Sequence, residues 1–340
     1  MDVYSLSRYF ASLKSLRIKL FGLYGLHLLG KRYLGVYLDP VLSCNLRCQM
    51  CYFSDEEHRK ELHGKLEIKE IEQIAKGLFH RALKLQIGCG AEPTLYKELL
   101  RIVELGCLYK VPYISLTTNG NLLTESSLME LVEMGLDELT VSLHGIHQKT
   151  YETLMEGASF SKFKELLQAI IAVKERHPDF KVRINYTMNT DNTEELADFW
   201  SLFASVPIDI LQLRPIQKIG NSRYTDFNLT EIQRLYEDVL IPLVADCQKR
   251  GVICIHPEKL HLLALERTNV SKDTIIQNFV YCYISPHTCW ENDYDFRYDT
   301  YESYARRVHL GKKIFYAFLK REPKLDAFGE KTRKMNYKIN

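Results

Sequence analysis

From residue 36 onward, short apolar runs of strand length alternate with longer segments of helical periodicity. Six strands are predicted, over Gly35–Asp39, Leu83–Gly88, Tyr113–Thr117, Glu138–Leu143, Lys181–Met188 and Ile208–Leu213. The helices predicted between them cover Glu67–Ala82, Tyr96–Cys107, Glu125–Met134, Tyr151–Arg176 and Glu194–Phe203. Strands that alternate with helices pair in parallel through right-handed crossovers. The pattern therefore predicts an α/β barrel, or an open arc of one.

The first 34 residues predict an amphipathic helix. Leucines recur at helical spacing, and six basic residues stand against one acidic residue, Asp2. A basic amphipathic helix can lie on an anionic membrane surface. It can equally cap the core of its own domain, and the sequence leaves both interpretations open.

The alternation stops after about residue 218. Thr230–Arg250 predicts one long helix, interrupted at Pro242, and Gly251–Ile255 predicts a short strand. We therefore expect three parts. These are the N-terminal helix (1–34), a partial (β/α)6 TIM-like barrel (35–218) and a small C-terminal appendage (219–340).

Composition and cysteine content indicate a globular intracellular protein. Of 340 residues, 46% are hydrophobic and 26% charged, and the net charge of +2 gives no general attraction to nucleic acid. Nine cysteines, three of them within eight residues, do not form a paired disulfide framework. The sequence contains no secretory signal and no apolar run long enough to span a bilayer. We expect a cytoplasmic protein, in contact at most with the inner membrane surface, whose clustered cysteines bind metal.

Three cysteines carry the strongest chemical signal. Cys44, Cys48 and Cys51 have the spacing C-x3-C-x2-C and directly follow the first predicted strand. Three thiolates on a [4Fe–4S] cubane leave one iron open for a further ligand. A closed structural zinc site has four ligands, and unrelated exposed thiols would be an oxidation liability. The spacing therefore favours an iron–sulfur cluster.

Together with this loop, several later segments resemble the radical S-adenosylmethionine (radical SAM) superfamily. The second strand ends in residues 88–94, GCGAEPT, and the third in residues 117–120, TTNG. The fourth gives residues 141–145, VSLHG. This last segment is similar to the branch that carries SPASM or twitch appendages, in which an Asp often stands where His144 is. The resemblance covers about residues 36–214.

The resemblance implies an enzyme that reductively cleaves S-adenosylmethionine (SAM) to a 5′-deoxyadenosyl radical, which abstracts hydrogen from a substrate. A low-potential electron donor of the flavodoxin or ferredoxin type is implied as a partner. Cys44, Cys48 and Cys51 would hold the cluster. SAM contacts are expected from Met50, Gly90, Glu92, Thr118, Asn119, Ser142 and Asn185. The Glu92 carboxylate would bind the ammonium of the methionine moiety, and Met50 would pack against adenine.

The appendage adds weaker candidates. Cys247 and Cys254 form one C-x6-C pair, and Cys282 and Cys289 form another. Four thiolates could hold a second, auxiliary cluster, as in twitch-type members, but buried cysteines need no metal. Arg214, which follows the sixth strand, and His287 are candidate substrate contacts.

The substrate is not fixed by the sequence. About 40 residues precede Cys44, too few for the leader-peptide domain of many peptide-modifying relatives. The closely spaced cysteines of a full SPASM domain are missing. We therefore expect a small-molecule, sugar or lipid-linked substrate. A maturase that modifies peptide or protein side chains is the alternative, and a non-catalytic iron–sulfur or zinc protein is the second. The chain end lacks the Gly-Arg-rich tail of molybdenum-cofactor cyclases, so we do not expect that activity.

Overall fold

The computed structural model describes residues 15–259, 262 and 274–319. Its centre is one parallel sheet with the strand order β7-β6-β5-β4-β3-β2-β1-β8. The strands are β1 Leu34–Leu38, β2 Ala82–Ile87, β3 Ile114–Thr118, β4 Glu138–Leu143, β5 Lys181–Met188, β6 Ile210–Pro215, β7 Ile253–Ile255 and β8 Tyr281–Ile284. Within the described residues the edge strands β7 and β8 do not pair, so the barrel is open.

Helices connect these strands and cover one side of the sheet. The α-helices are α1 Leu16–Leu28, α2 Glu56–Glu61, α3 Ile68–Leu78, α4 Leu99–Leu108, α5 Glu125–Met134, α6 Gln148–Leu154, α7 Phe160–Arg176, α8 Phe199–Phe203, α9 Thr230–Arg234, α10 Ile241–Lys249, α11 Thr274–Val280, α12 Tyr301–Arg307 and α13 Leu310–Leu319. Short 3-10 turns occupy Tyr52–Ser54, Phe79–Arg81, Pro93–Leu95 and Glu194–Asp198, and a π-helical turn occupies Tyr236–Leu240.

The alternation along each strand separates an apolar outer face from a polar inner face. On the outer face the helices pack so closely that a methyl group on Gly106 of α4 would lie 2.6 Å from Ile114 and 3.3 Å from Leu85. Because successive side chains of a strand point to opposite faces, the neighbours of these apolar residues face the interior. In register across the sheet, the inner face carries Tyr37, Lys84, Gln86, Ser115, Glu138, Thr140, Ser142, Arg183, Asn185, Gln212, Arg214 and Tyr283.

The prediction of an α/β partial barrel is confirmed, and the six predicted strands form in the predicted order. The count of six was incomplete, because β7 and β8 extend the sheet at both edges. The short strand predicted over Gly251–Ile255 is confirmed as β7, but its place in the sheet was not predicted, and β8 was missed. Both come from 219–340, the segment expected to be an appendage. The division of the chain at residues 34 and 218 stays a prediction.

Some predicted helices are interrupted. The segment predicted as Tyr151–Arg176 forms α6 and α7, which are separated by a turn in which Gly157 has φ +89°. Such a backbone angle lies outside the helical region, so α6, which ends at Leu154, cannot continue into α7. The segment Thr230–Arg250 divides into α9, a π-helical turn and α10, with Pro242 in the first turn of α10. Proline fits there because the first helical N–H groups have no helical acceptor.

At the N-terminus, the described part of the predicted helix is α1, and the first fourteen residues lie outside the described ranges. Ser15 caps α1 by accepting a hydrogen bond from the backbone N–H of Ile18 at 3.4 Å. The helix packs against α13, from the other end of the chain, with the rings of Tyr24 and Phe315 5.3 Å apart. None of the helices in the described ranges combines the length and apolarity needed to cross a bilayer.

Candidate iron–sulfur and cofactor site

The cysteine loop lies at the carboxyl edge of the sheet, between β1 and α2. Two neighbouring segments hold its backbone in place. The N–H of Glu92 donates to the carbonyl of Ser43 at 2.9 Å, and the N–H of Arg47 donates to the carbonyl of Glu156 at 2.8 Å. These bonds attach the loop to the segments that follow β2 and α6, so its three thiols have a defined position over the strand ends.

The three thiols are close enough to influence one another. Burial, with smaller contributions from Glu92 and Cys51, raises the pKa of Cys44 to about 12. Burial is also the main reason that the pKa values of Cys48 and Cys51 are raised, and for Cys48 the other two thiols add to it. With pKa values raised in this way the groups are neutral thiols at pH 7, and a bound metal would displace their protons.

The residues fit a four-iron cluster. The backbone N–H of Leu46 donates to the sulfur of Cys44 at 3.4 Å, which is the type of contact that tunes cluster sulfurs. In the part of the chain that the structure describes, no three His, Cys, Asp or Glu side chains are grouped tightly enough for a single metal ion. A cubane is larger and takes each thiolate on a different iron atom. Three soft donors on one irregular loop match that requirement.

The Glu92 carboxylate lies in the loop after β2 and is 2% exposed. Its Oε1 accepts from the backbone N–H and the hydroxyl of Thr94, at 3.1 and 2.6 Å, and from the hydroxyl of Thr118 at 2.6 Å. Its Oε2 accepts from the N–H of Asn119 at 2.8 Å. Burial raises the pKa of this carboxyl, and the four donors act in the opposite direction. The structure thus gives Glu92 protein partners on both oxygens, where the sequence predicted a bond to the SAM ammonium.

Asn119 connects this network to the cysteine loop. Its side-chain amide donates to Oδ1 of Asn45 at 2.9 Å and lies 4.0 Å from the sulfur of Cys44. The predicted SAM contacts Gly90, Glu92, Thr118 and Asn119 are therefore brought together beside the predicted cluster ligands. Whether they contact SAM stays a prediction.

Met50 has a polar neighbour that the sequence did not reveal. The side chain is buried, and its sulfur lies 3.0 Å from the side-chain amide of Asn189, which follows β5. Asn189 is itself held by Asn192, whose Oδ1 accepts from the Asn189 N–H at 2.8 Å. The thioether is thereby fixed at the carboxyl edge of the sheet, beside the cysteine loop.

The glycine-rich turn after β2 is shaped by Asp39, at the end of β1. This fully buried carboxylate accepts from the N–H of Cys89 at 2.7 Å, from the N–H of Gly90 at 3.0 Å and from the hydroxyl of Tyr283 at 2.8 Å. Tyr52 donates its hydroxyl to the carbonyl of Gly90. A methyl group on Gly90 would lie 2.5 Å from that hydroxyl, so a larger residue here would have to displace the Tyr52 side chain.

Ser142 and Asn185 are register partners on the inner face of β4 and β5. Asn185, and not Tyr186, faces the interior as predicted, because Tyr186 lies on the opposite face and is fully buried. The Oδ1 of Asn185 and the Nδ1 of His144 are both buried without a hydrogen-bond partner among the described residues. Burial lowers the pKa of His144 to about 4, so the imidazole is neutral at pH 7. Most buried polar atoms have such a partner.

Arg214 also reaches the inner face. Its guanidinium donates to Oε1 of Gln212 at 3.1 Å, and Arg183 donates to the same oxygen at 3.3 Å. Arg183 additionally pairs with Glu138 at 3.4 Å. Lys84 belongs to this group, because Glu138 and both arginines perturb its pKa, which burial lowers. The interior of the barrel is therefore polar and rich in charge.

The structure does not bring the four appendage cysteines together. Cys254 lies on β7 beside Cys247 of α10, whereas Cys282 lies on β8 near Cys289. The two pairs occupy opposite edges of the open sheet, with six strands between them. His287 is exposed after the carboxyl end of β8, with its Nε2 2.8 Å from the carbonyl of His63. The arrangement therefore gives no support to an auxiliary cluster of all four thiols, and a substrate contact by His287 stays a prediction.

Sequence reasoning missed the residues that support the site from a distance. Asp39 and Tyr52 shape the turn at Gly90, Asn189 contacts Met50, and Arg223 binds the carbonyl of Arg47 at 3.2 Å. Asp39 gave a signal, since an acidic residue closing an apolar strand at its carboxyl end is unusual. The other three carried none.

Comparison with known proteins agrees with this geometry. Residues 40–202 match the model of the Radical SAM superfamily. A probable GTP 3′,8-cyclase of Saccharolobus islandicus is 29% identical over 203 residues, which are 58% of this chain and 63% of that protein. The corresponding protein of Sulfolobus acidocaldarius is 27% identical over 212 residues, 61% of this chain and 65% of that protein. The chain thus spans less than two thirds of the length of these relatives.

Solved structures show the same fold. The crystal structure of Streptococcus suis SuiB bound to S-adenosylmethionine has a TM-score of 0.57 at 18% identity, covering 76% of this chain and 60% of SuiB. Native anSMEcpe with bound AdoMet has a TM-score of 0.52 at 18% identity, covering 65% of this chain and 63% of that one. The family match, the open parallel barrel and the three thiols at its carboxyl edge lead to one conclusion. Residues 40–202 of the chain are a radical SAM domain, and enzymes of that superfamily use a [4Fe–4S] cluster and SAM.

Proposed function

We propose that this chain holds a [4Fe–4S] cluster through Cys44, Cys48 and Cys51 and binds SAM beside it. When bound, the two cofactors supply reductive cleavage of SAM, which yields methionine and a 5′-deoxyadenosyl radical able to abstract hydrogen from a substrate. The observation that carries the proposal is the placement of the three thiols. They lie on one loop, held at the carboxyl ends of the strands, where barrel enzymes form their active sites.

The surrounding residues have positioning tasks in this proposal. Glu92 holds Thr118 and Asn119 in place, and the Asn119 amide in turn fixes the loop through Asn45. Asp39 accepts from the N–H groups of Cys89 and Gly90 and so fixes the turn after β2. Met50 offers a polarizable sulfur for the adenine face. Ser142 and Asn185, register partners on the inner face of β4 and β5, would provide polar partners for hydroxyl or carboxylate groups of SAM.

We propose a small, polar molecule as the substrate, and sugar and lipid-linked compounds remain within that class. Support comes from the inner face of the sheet, where Glu138, Arg183, Gln212 and Arg214 form a hydrogen-bonded group. The core of a closed TIM barrel is filled by layers of branched apolar side chains. These buried charges already have partners within the chain, and an interior of this polarity suits a polar substrate better than an apolar one. A flavodoxin- or ferredoxin-type donor and a cytoplasmic location complete the proposal.

A GTP-cyclising enzyme is the second candidate for the reaction, because the curated relatives are named probable GTP 3′,8-cyclases. The basic side chains Lys84, Arg183 and Arg214 on the inner face are compatible with a phosphorylated substrate. The peptide-modifying alternative has only a likeness of fold in its favour, to a SuiB structure solved with its precursor peptide SuiA.

The test is the metal and product content of the full chain after anaerobic reconstitution. We expect about four irons and four sulfides per chain, and 5′-deoxyadenosine after addition of dithionite and SAM. Combined Cys44→Ala, Cys48→Ala and Cys51→Ala substitutions should abolish both. Cys107→Ala is the matched control, since this exposed cysteine lies on α4 and should leave both unchanged.

Two results would contradict the proposal: zinc in place of iron, or iron without 5′-deoxyadenosine. Mass spectrometry of the products with GTP present separates the two substrate candidates. A cyclised nucleotide would favour the second candidate, and unchanged GTP beside 5′-deoxyadenosine would leave the first.

A further inference from the structure

Two helices from opposite ends of the described chain expose apolar side chains on one shared surface. Helices α1 and α13 pack side by side, with the rings of Tyr24 and Phe315 5.3 Å apart and those of Phe21 and Phe318 5.8 Å apart. Phe21 is nevertheless 64% exposed. The packing between the helices therefore leaves much of their apolar surface in contact with water.

The exposed apolar residues follow helical spacing on both helices. We call them the two-helix surface: Ile18, Phe21, Leu28, Leu29, Phe315, Tyr316 and Leu319. On α1, Ile18, Phe21 and Leu28 stand three and seven positions apart, which places them on one face. Ile18 is 58% exposed and Leu28 64%. Contiguous apolar patches of this kind mark sites of interaction with proteins or membranes.

The charge of the two helices favours a membrane over a protein as the partner of this surface. Residues 3–38 and 308–321 contain no Asp or Glu, so each charge that α1 and α13 carry is positive. Arg17 is exposed on α1, and Lys312 and Lys313 are exposed on α13. A helix with Phe and Leu on one face and Lys or Arg beside them lies in the interface of an anionic bilayer, with the cations at the headgroups.

A recess next to the surface adds a site for a headgroup. It has a volume of about 750 Å³ and includes Leu28, Arg81, Arg306 and Lys312 in its lining. The acidic residue there, Glu302, is already paired with His80 at 2.8 Å and with Arg81 at 3.8 Å. The basic side chains of the recess therefore favour a phosphate next to the apolar face.

We propose that the two-helix surface docks the protein on a membrane rich in anionic phospholipids, with a lipid phosphate in the recess. Arg81 directly precedes β2, so the recess lies at the amino ends of the strands. The cysteine loop lies at their carboxyl ends. Docking would therefore leave the mouth of the barrel accessible to substrate and electron donor. This inference does not depend on radical chemistry.

The test is cosedimentation of the full chain with vesicles. We expect binding to vesicles of phosphatidylglycerol and phosphatidylcholine, at least tenfold weaker binding to phosphatidylcholine alone, and weaker binding as salt rises. Phe21→Ser with Ile18→Ser should weaken binding to the anionic vesicles at least tenfold. Leu108→Ser is the matched control, because Leu108 is 66% exposed on α4 and should bind like the wild type.

A second variant tests whether a loss of vesicle binding results from misfolding. Lys312→Glu with Lys313→Glu changes only exposed side chains, and it should weaken binding as strongly while far-UV circular dichroism and 5′-deoxyadenosine formation stay at wild-type levels. Equal binding to both vesicle types, or equal loss in the Leu108 control, would overturn the proposal. So would a wild-type dimer that Phe21→Ser dissociates, because the surface would then be an interface between two copies.

Discussion

Replacing Glu92 by Gln distinguishes the role that the sequence suggested from the role that the structure gives this residue. As a ligand of SAM, the carboxylate would bind an ammonium and contribute to affinity. As a structural group, it holds the end of β3 and the turn at Thr94 through four hydrogen bonds. Gln has the same shape but offers only one acceptor oxygen.

The decrease in the free energy of unfolding of Glu92→Gln can be worked out from the geometry. If the amide nitrogen takes the place of Oε2, it meets the N–H of Asn119, and two buried donors face each other. If it takes the place of Oε1, it faces the backbone N–H of Thr94, and the hydroxyls of Thr94 and Thr118 must turn to accept from it, which leaves their own protons without this acceptor. The first arrangement costs less, at one hydrogen bond to a charged group plus one unsatisfied donor. The lost hydrogen bond costs about 1.5–3 kcal/mol and the unsatisfied donor about 1–3 kcal/mol, so we expect Glu92→Gln to lower the free energy of unfolding by about 2.5–6 kcal/mol.

The assay is urea unfolding of the metal-free chain under anaerobic, reducing conditions at pH 7. Glu133→Gln is the matched control, since that residue is exposed on α5 and should change the free energy by less than about 0.5 kcal/mol. Thr118→Val, which removes one donor and keeps the shape, should fall between the two. Cluster content after reconstitution should fall in Glu92→Gln, because Asn119 loses one of the bonds that position it beside Asn45.

A Glu92→Gln variant as stable as the Glu133→Gln control would refute this reasoning. If that variant also kept its cluster and bound SAM at least tenfold more weakly, the ammonium contact predicted from the sequence would be the correct role.

Two further predictions test the neighbouring groups. Burial lowers the pKa of His144 to about 4, below its ordinary value of 6.5. Between these two pH values only the unfolded chain takes up the proton. The free energy of unfolding should therefore fall by up to about 3 kcal/mol as the pH drops from 6.5 to 4. Acid unfolding curves should show a weaker pH dependence in His144→Gln and an unchanged one in the control His177→Gln. Parallel curves for the wild type and both variants would show that His144 is not the group responsible. Gly90→Ala should destabilise the chain by about 1–3 kcal/mol through contact with the Tyr52 hydroxyl. Tyr52→Phe should restore most of that loss in a double-mutant cycle, and additive effects would show that the strain lies elsewhere.

The sequence was sufficient for the parts of the fold with strong local patterns. The six central strands each contain five or more residues with an apolar outer face, and their order follows from the alternation with helices. The strands β7 and β8 have three and four residues. Their pairing depends on packing against β6 and β1, which no local pattern reveals. The break between α6 and α7 was missed because apolar residues continue through it at helical spacing.

The candidate site shows the same difference between features with a local sequence signal and features without one. The cluster ligands are close in sequence, and their chemistry can be identified from spacing alone. The groups that hold them are distant: Glu156 and Arg223 reach the loop from 100 residues or more away. Such contacts arise only when several strand ends meet at one edge, so a single sequence carries no record of which polar residue approaches which.

The inner face of the sheet shows which parts of a functional site a local sequence pattern can predict. Alternation along β5 correctly placed Asn185 in the interior. Arg214 was predicted to follow the sixth strand as a substrate contact, and it lies within β6 on the same inner face. Alternation cannot reveal that Gln212 accepts hydrogen bonds from both Arg183 and Arg214, or that Arg183 also pairs with Glu138. Substrate recognition depends on that combined arrangement, because a polar group in the interior is stable only when its partners are complete. The class of chemistry is therefore encoded in one short loop, whereas the choice of substrate is encoded across all the strands at once.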